Sequence, residues 1–148
     1  MPEPSTDTDT HTHTNTTTDQ TTYKLTFFTP PSATKACLSA LHAVGAGVWP
    51  SPPPPTLASG TKDTPETSSS SPPKYIDSAF ISRGTGQFRP SAHANPTIGT
   101  PGEVQVVEED KVEMVVVGTE AVRRAVAELR RVHPYEVVGL FVVRCEDF

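Results

Sequence analysis

Cysteine is nearly missing from this chain of 148 residues: Cys37 and Cys145 are its whole complement. Two thiols cannot close a zinc site by themselves, and their wide separation forms no redox motif, so reduced thiols are expected. Positive charge is also short. Lys and Arg number 12 against 17 Asp and Glu, a formal net charge of -5, and the basic residues are scattered, whereas a nucleic-acid surface gathers them on one face. No apolar run approaches the about 18 residues that span a membrane, and the first residues have neither an apolar signal core nor the Arg-rich, acid-poor character of a transit peptide. The expectation is a cytosolic chain, with nuclear entry left open, that engages neither nucleic acid nor membrane.

Two stretches lack the material for a core. Residues 1–22 contain no Lys or Arg and, after Met1, no large apolar side chain; such a segment cannot bury enough surface to offset its ordering entropy, so a disordered Thr-rich tail is expected. Residues 50–73 hold half of the 16 prolines, among them the run 52–55, and the serine run 68–71, the composition of a disordered insertion or linker. The remainder is roughly 100 residues, enough for one two-layer core. The expected organisation is therefore a tail over 1–22 and a single domain over 23–148, interrupted at 50–73.

Within that domain, residues 23–28 are rich in aromatic and β-branched side chains and are stopped by Pro30-Pro31, which predicts a first strand. Ser32 is placed to cap a helix on which Ala33, Cys37, Ala40, Leu41 and Val44 form one apolar stripe, with Gly45 and Gly47 as its stop. Residues 75–82 resume a strand pattern, and Gly84 and Gly86 are expected to interrupt it with a bulge or sharp turn. Val104, Val106, Val112, Met114 and Val116 alternate around Glu108-Glu109-Asp110, as a hairpin or as one long bulged strand. Thr119 is a candidate N-cap for a second helix with Val122, Ala125, Val126, Leu129 and Val132 inward, Glu120 at its positive end and Arg130 and Arg131 at its negative end. Pro134 halts it, and residues 135–143 read as the last strand.

Two βα units around a β-rich middle predict an α+β, ferredoxin-like split βαβ sandwich, an antiparallel sheet carrying both helices on one face. Alternating apolar residues would leave the other face open in a monomer, so self-association through it is expected.

Three strings punctuate this framework: Gly84-Thr85-Gly86-Gln87-Phe88-Arg89-Pro90, then Asn95-Pro96-Thr97-Ile98-Gly99, then His133-Pro134-Tyr135-Glu136. As a set they resemble the small domain inserted in the NGG-interacting-factor-three (Nif3) family of dinuclear-metal proteins, a domain also found as a free-standing short protein. The resemblance extends to residues 23–28, 46–47, 75–78 and 111–115, the second helix and the closing 146–148, so it covers essentially all of the predicted core. It implies a PII-like and CutA-like fold, also similar to the regulatory domain of ATP phosphoribosyltransferase, and a homotrimer as the usual assembly. It also implies that the family's dinuclear metal centre belongs to flanking domains with no counterpart here. Two departures stand out: Val137-Val138-Gly139 follows where the family continues with a second Glu and a Pro, and the 50–73 insertion is unusual.

The candidate sites each have a plain structural alternative. Gly84 and Gly86, flanked by Arg83 and Arg89 and followed by Gln87 and Asn95, form either an anion-binding loop of exposed amides and guanidinium forks or simply a turn that re-aims the strand. The resemblance to PII-like proteins places a nucleotide cleft between subunits beside the corresponding loop. His133 and Glu136 offer a nitrogen and an oxygen to a divalent metal, although two ligands are too few unless His42 or His93 approaches; alternatively His133 serves the negative end of the second helix. His11 and His13 lie in the tail, Cys37 reads as a small buried hydrophobe, and Cys145 has no activating neighbour. The run 52–55 is either a polyproline ligand or a spacer.

Three functions follow. The first is a non-enzymatic, PII/CutA-like oligomeric regulatory or binding module for a small anionic ligand, nucleotide or metal. The second is a protein-interaction module that displays the tail and the insertion. The third, a metal-dependent hydrolase, lacks a visible His/Asp/Glu cluster.

Overall fold

The computed structural model describes residues 19–49 and 72–146; the segments 1–18, 50–71 and 147–148, and with them His11, His13 and the proline run 52–55, lie outside the described residues. The elements follow as β1 Thr22–Thr29, α1 Thr34–Ala43, β2 Phe80–Phe88, β3 Gln105–Val117, α2 Thr119–Val132 and β4 Leu140–Arg144. The four strands form one sheet in the order β2-β3-β1-β4, with every pairing antiparallel. This is the α+β, ferredoxin-like arrangement the residue pattern predicts.

Strand alternation decides what each face carries. On β1, Leu25 and Phe27 point inward, and on β3 so do Val112, Met114 and Val116; they meet Cys37 and Leu41 of α1 and Ala125 and Leu129 of α2 in one core. Phe27, Cys37, Leu41, Val112, Ala125 and Leu129 have no measurable exposure. Cys37 is thus the packed hydrophobe expected, and burial pushes its thiol pKa up. The opposite face is less uniformly apolar than expected. Lys24, Lys111 and Glu113 occupy its middle, with Glu113 paired to both lysines at 3.2 and 3.1 Å, while Phe80, Phe141 and Val143 stand exposed on the two edge strands.

Several boundaries differ from the sequence expectation. Ser32 does not cap α1: the N-cap is Ala33, without a side-chain bond, and the next hydroxyl, Thr34 Oγ1, donates to Asp110 of β3 at 2.6 Å. Thr119 is the first residue of α2, not its cap. Gly118 takes the cap position at φ 91°, and the carboxylate of Asp19 accepts the Thr119 N–H at 2.7 Å. Asp19 also accepts from Thr21 N, and these amides, Thr119 first, hold its carboxyl well below the usual carboxylate range. Asp19, inside the segment expected as tail, thus bonds to the start of α2.

Strand β2 begins at Phe80, not at Tyr75. Asp77 sits at φ 54°, a left-handed turn that extended pairing does not tolerate, and Trp49 N donates to Tyr75 O while Ser78 N donates to Gly47 O. These bonds tie together the two ends from which the 50–71 segment departs. Gly47 is required there, because at φ 80° an added Cβ would lie 2.6 Å from Ser78 O. Gly84 and Gly86 do not break β2. They remain in register with Glu109 and Val107, so residues 105–117 form a single strand and Glu108-Glu109-Asp110 lie mid-strand. The last strand starts at Leu140, and residues 135–139 are an irregular crossing segment.

Leu129 lies at the junction of both helices with the sheet, so Leu129→Ala should cost about 2–5 kcal/mol. Urea denaturation monitored by circular dichroism measures it. A loss below about 0.5 kcal/mol, typical of surface positions, would mean that this core is not the stabilising one.

Candidate functional site

Strand β1 ends at Thr29, opposite Asp110, whereas β2 and β3 continue to Phe88 and Gln105. The extra length is a two-stranded ribbon that overhangs the end of the sheet. The 89–104 loop returns from its tip to the crossing segment: Asn95 N donates to the Glu136 carboxylate at 3.1 Å and Thr97 Oγ1 to Pro134 O at 2.8 Å. Ribbon, loop and crossing segment border a half-open cavity of about 690 Å³. All three sequence strings contribute to its wall.

Antiparallel register places Gly84, Gly86 and Phe88 of β2 on the same face as Glu109 and Lys111 of β3 and Phe28 of β1, and all six line the cavity. The two glycines act differently. A Cβ built on Gly84 meets nothing within 4 Å, so the missing side chain is cavity space. A Cβ on Gly86 would collide with the Glu109 carboxylate; glycine there lets that carboxylate lie across the strand.

Tyr135 and Glu136 of the His-Pro-Tyr-Glu string line the opposite side. His133 leaves α2 buried; its Nε2 donates to Phe28 O at 2.9 Å and its Nδ1 accepts the Tyr135 N–H at 3.1 Å. Both ring nitrogens are thereby used, which fixes the neutral Nε2–H tautomer, and burial lowers the histidine pKa against opposing contributions from the Phe28 carbonyl and Glu109. The Tyr135 ring stands edge-on to His133 with centroids 5.1 Å apart. Its hydroxyl is buried without a hydrogen-bond partner. Burial first, then the Glu109 charge and the hydrogen-bonding approach of its carboxylate, pushes the phenol up to about 12.

The candidate residues from the sequence divide accordingly. Gly84, Gly86, Gln87 and Arg83 line the cavity, and Asn95 braces its wall through its amide. Arg83 is already committed, its Nε to Asp110 at 2.8 Å and its Nη1 to Glu108 at 3.3 Å; with Thr34, it holds the buried Asp110 carboxyl below its ordinary range. Arg89 is exposed and lies off the lining. The proposed metal pair loses its nitrogen, because His133 has none free and Glu136 is bonded to Asn95 N. Among the described residues no group of three or more His, Cys, Asp or Glu is arranged to hold a metal ion. Sequence reasoning passed over Glu109, Phe28 and the Tyr135 hydroxyl. The one available signal was Gly86, two residues along the strand from the glycine paired with Glu109.

Comparison with known proteins adds the family. The GTP cyclohydrolase 1 type 2 homolog of Halalkalibacterium halodurans is 33% identical over 120 residues, 80% of this chain and 26% of that protein. The protein of the same name from Staphylococcus aureus is 41% identical over 59 residues, 38% of this chain and 15% of the relative. A Bacillus cereus protein related to NIF3 superposes with TM-score 0.62 at 22% identity over 88% of this chain and 27% of its own. The chain carries a Nif3-like domain. It spans about a quarter of the Halalkalibacterium relative's length. The divalent ion tolerance protein CutA1 from Ehrlichia chaffeensis shares the fold, with TM-score 0.54 at 11% identity over 87% of this chain and 85% of that one. No protein-family model matches. No helix among the described residues of this Nif3-like domain is long and apolar enough to cross a membrane.

Because the folded pKa of His133 lies below its reference value of 6.5, the unfolded chain takes up the proton first as pH falls. Stability is full above 6.5 and declines below it until the folded histidine also protonates. The urea midpoint should therefore fall between about pH 7.5 and about pH 5.5 more steeply in the native protein than in His133→Gln. Parallel slopes would remove the assigned tautomer.

Proposed function

We propose that this Nif3-like domain is a non-enzymatic, self-associating binding module whose small-molecule ligand occupies the cavity beneath the 89–104 loop. The observation that carries the reading is the convergence of all three strings on one concave space of about 690 Å³, within the size range of small-ligand sites. The loop that roofs it is held by few bonds, those of Asn95 and Thr97 to the crossing segment, so ligand occupancy can bias its position and be read by a partner. A catalytic reading, as the name of the relatives suggests, draws no support from the lining. No histidine or cysteine is among the described residues that line the space, and His133, next to those residues in the chain, has both ring nitrogens engaged.

Self-association is proposed through β4 and the face beside it. Phe141 is 61% and Val143 53% exposed; both lie on the face away from the helices, opposite Thr26 and Lys24. An edge strand with this composition invites pairing with a second copy, and a trimer is the assembly proposed. The interaction-module alternative rests on the expected tail, 1–22, and the Pro/Ser-rich insertion, 50–73.

A thermal-shift panel of nucleosides, nucleotides, amino acids and divalent ions should yield at least one saturable stabiliser of the full chain. A panel with none, together with partner capture that needs only the 50–71 segment, would replace this reading by the interaction module. Light scattering after gel filtration should give an oligomer that Phe141→Lys shifts toward monomer, and a wild-type monomer at every concentration would remove the assembly.

A further inference from the structure

The charge left unbalanced inside the cavity is negative. Strand alternation sends the Arg83 guanidinium to the opposite face of the sheet, where it meets Asp110 and Glu108, so Arg83 borders the space with its backbone. Lys111 does face the cavity, but its ammonium is 3.1 Å from Glu113, which is not among the lining residues; its aliphatic stem is what the wall retains. Two carboxylates remain on the lining, Glu109, set across the bare backbone of Gly86, and Glu136 of the crossing segment. Among the described residues neither is paired with a cation: Glu109 is approached by the Tyr135 hydroxyl, and Glu136 accepts the Asn95 N–H at 3.1 Å. The aromatic side chains of Phe28, Phe88 and Tyr135 stand around them. The floor at Gly84 is open, since a Cβ there would meet nothing within 4 Å.

We infer that the cavity selects a small organic cation, an ammonium group on a flat apolar body, with the body lying over Gly84 among the aromatic side chains and the ammonium directed at Glu109. The inference rests on the binding-module reading and specifies the charge and shape of its ligand. A cation is attracted by the faces of aromatic rings as well as by a carboxylate, and both attractions strengthen where the walls exclude water. An anion meets the reverse. It would enter beside Glu109 and Glu136 with no uncommitted guanidinium or ammonium of the lining to replace its lost hydration. A neutral body of the same shape suits the apolar walls equally well, and the carboxylates are what distinguish the cation from it. Gly84 and Gly86 thus have separate tasks, one making room for the apolar body and the other letting the Glu109 carboxylate reach across the strand.

Calorimetric titration of the full chain with phenethylamine, phenylacetamide and phenylacetate tests this, since the three share a skeleton and differ in charge. At low ionic strength phenethylamine should bind about tenfold or more tighter than phenylacetamide, and phenylacetate should be silent. Added salt should weaken the amine and leave the amide unaffected. Glu109→Gln, which keeps the shape of the side chain, should bring the amine down to the affinity of the amide while its circular dichroism stays that of the parent. Gly84→Val should fold with unchanged stability and bind neither, because its side chain enters open space. If the amide or the carboxylate binds as tightly as the amine, if none of the three binds, or if Glu109→Gln leaves the amine affinity unchanged, the cation class is wrong; the binding module then stands on any other saturable ligand that Gly84→Val no longer binds. If a saturable ligand of any class binds equally well to Gly84→Val, the cavity is not the site and both readings fall.

Discussion

The pairing of β1 with β3 is the constraint on which the rest of this domain depends. Once Leu25 and Phe27 face Met114 and Val112 under the helices, the two-residue period of extended backbone leaves no freedom about what turns the other way. Lys24, Lys111, Glu113 and Glu109 must share the far face, and a one-residue slip of β3 would turn Lys111, Glu113 and Glu109 toward the core. Hydrophobic burial on one face therefore determines the chemistry on the other, although none of the functional groups takes part in that burial.

A mismatch in strand length converts this constraint into a site. The β1 strand stops at Thr29, where Pro30-Pro31 ends it, while its neighbours run on, and the overhanging ribbon has no third strand to cover it. Its exposed backbone is covered by the returning loop and by the segment leaving α2. The histidine bond to Phe28 O anchors that segment to the last turn of β1. Core and cavity wall are thus mechanically joined through one buried, neutral imidazole, which is why His133 serves better as a strut than as a ligand.

Electrostatics then separates the residues that carry structure from those available for recognition. Arg83 and Lys111 look like anion ligands in isolation, but each is neutralised by a carboxylate of β3. Asp110 is nearly inaccessible at 4% exposure and would be an uncompensated buried charge without Arg83 and Thr34, so that guanidinium is held where it is. Glu109, one residue along and on the opposite face, has no such structural duty. The same acidic run supplies one carboxylate to the ion pairs beneath the sheet and one to the cavity because alternate residues point apart.

Much of the fold was legible in the residues. The apolar stripes of both helices, the alternation on β1 and the split βαβ order all follow from periodicities of 3.6 and 2, which depend on near neighbours in the chain. The misread features share a cause: each was resolved by a partner distant in sequence. Thr34 found Asp110 across the sheet, Thr119 was capped by Asp19 a hundred residues away, and the glycines of β2 stayed extended because β3 pairs with them throughout. The motif strings pointed to the right region, yet not to its chemistry. Arg83, His133 and Glu136 were plausible ligands until their partners came into view, and Glu109 became notable only when Gly86 was found beneath its carboxylate. By itself the sequence determined which segments bury surface and in what order they alternate, since those properties are local. Tertiary structure alone decided which charges are spent and which hydroxyl is left unpaired, because hydrogen bonds and ion pairs are made by proximity in space, and proximity was set by the packing of the sheet.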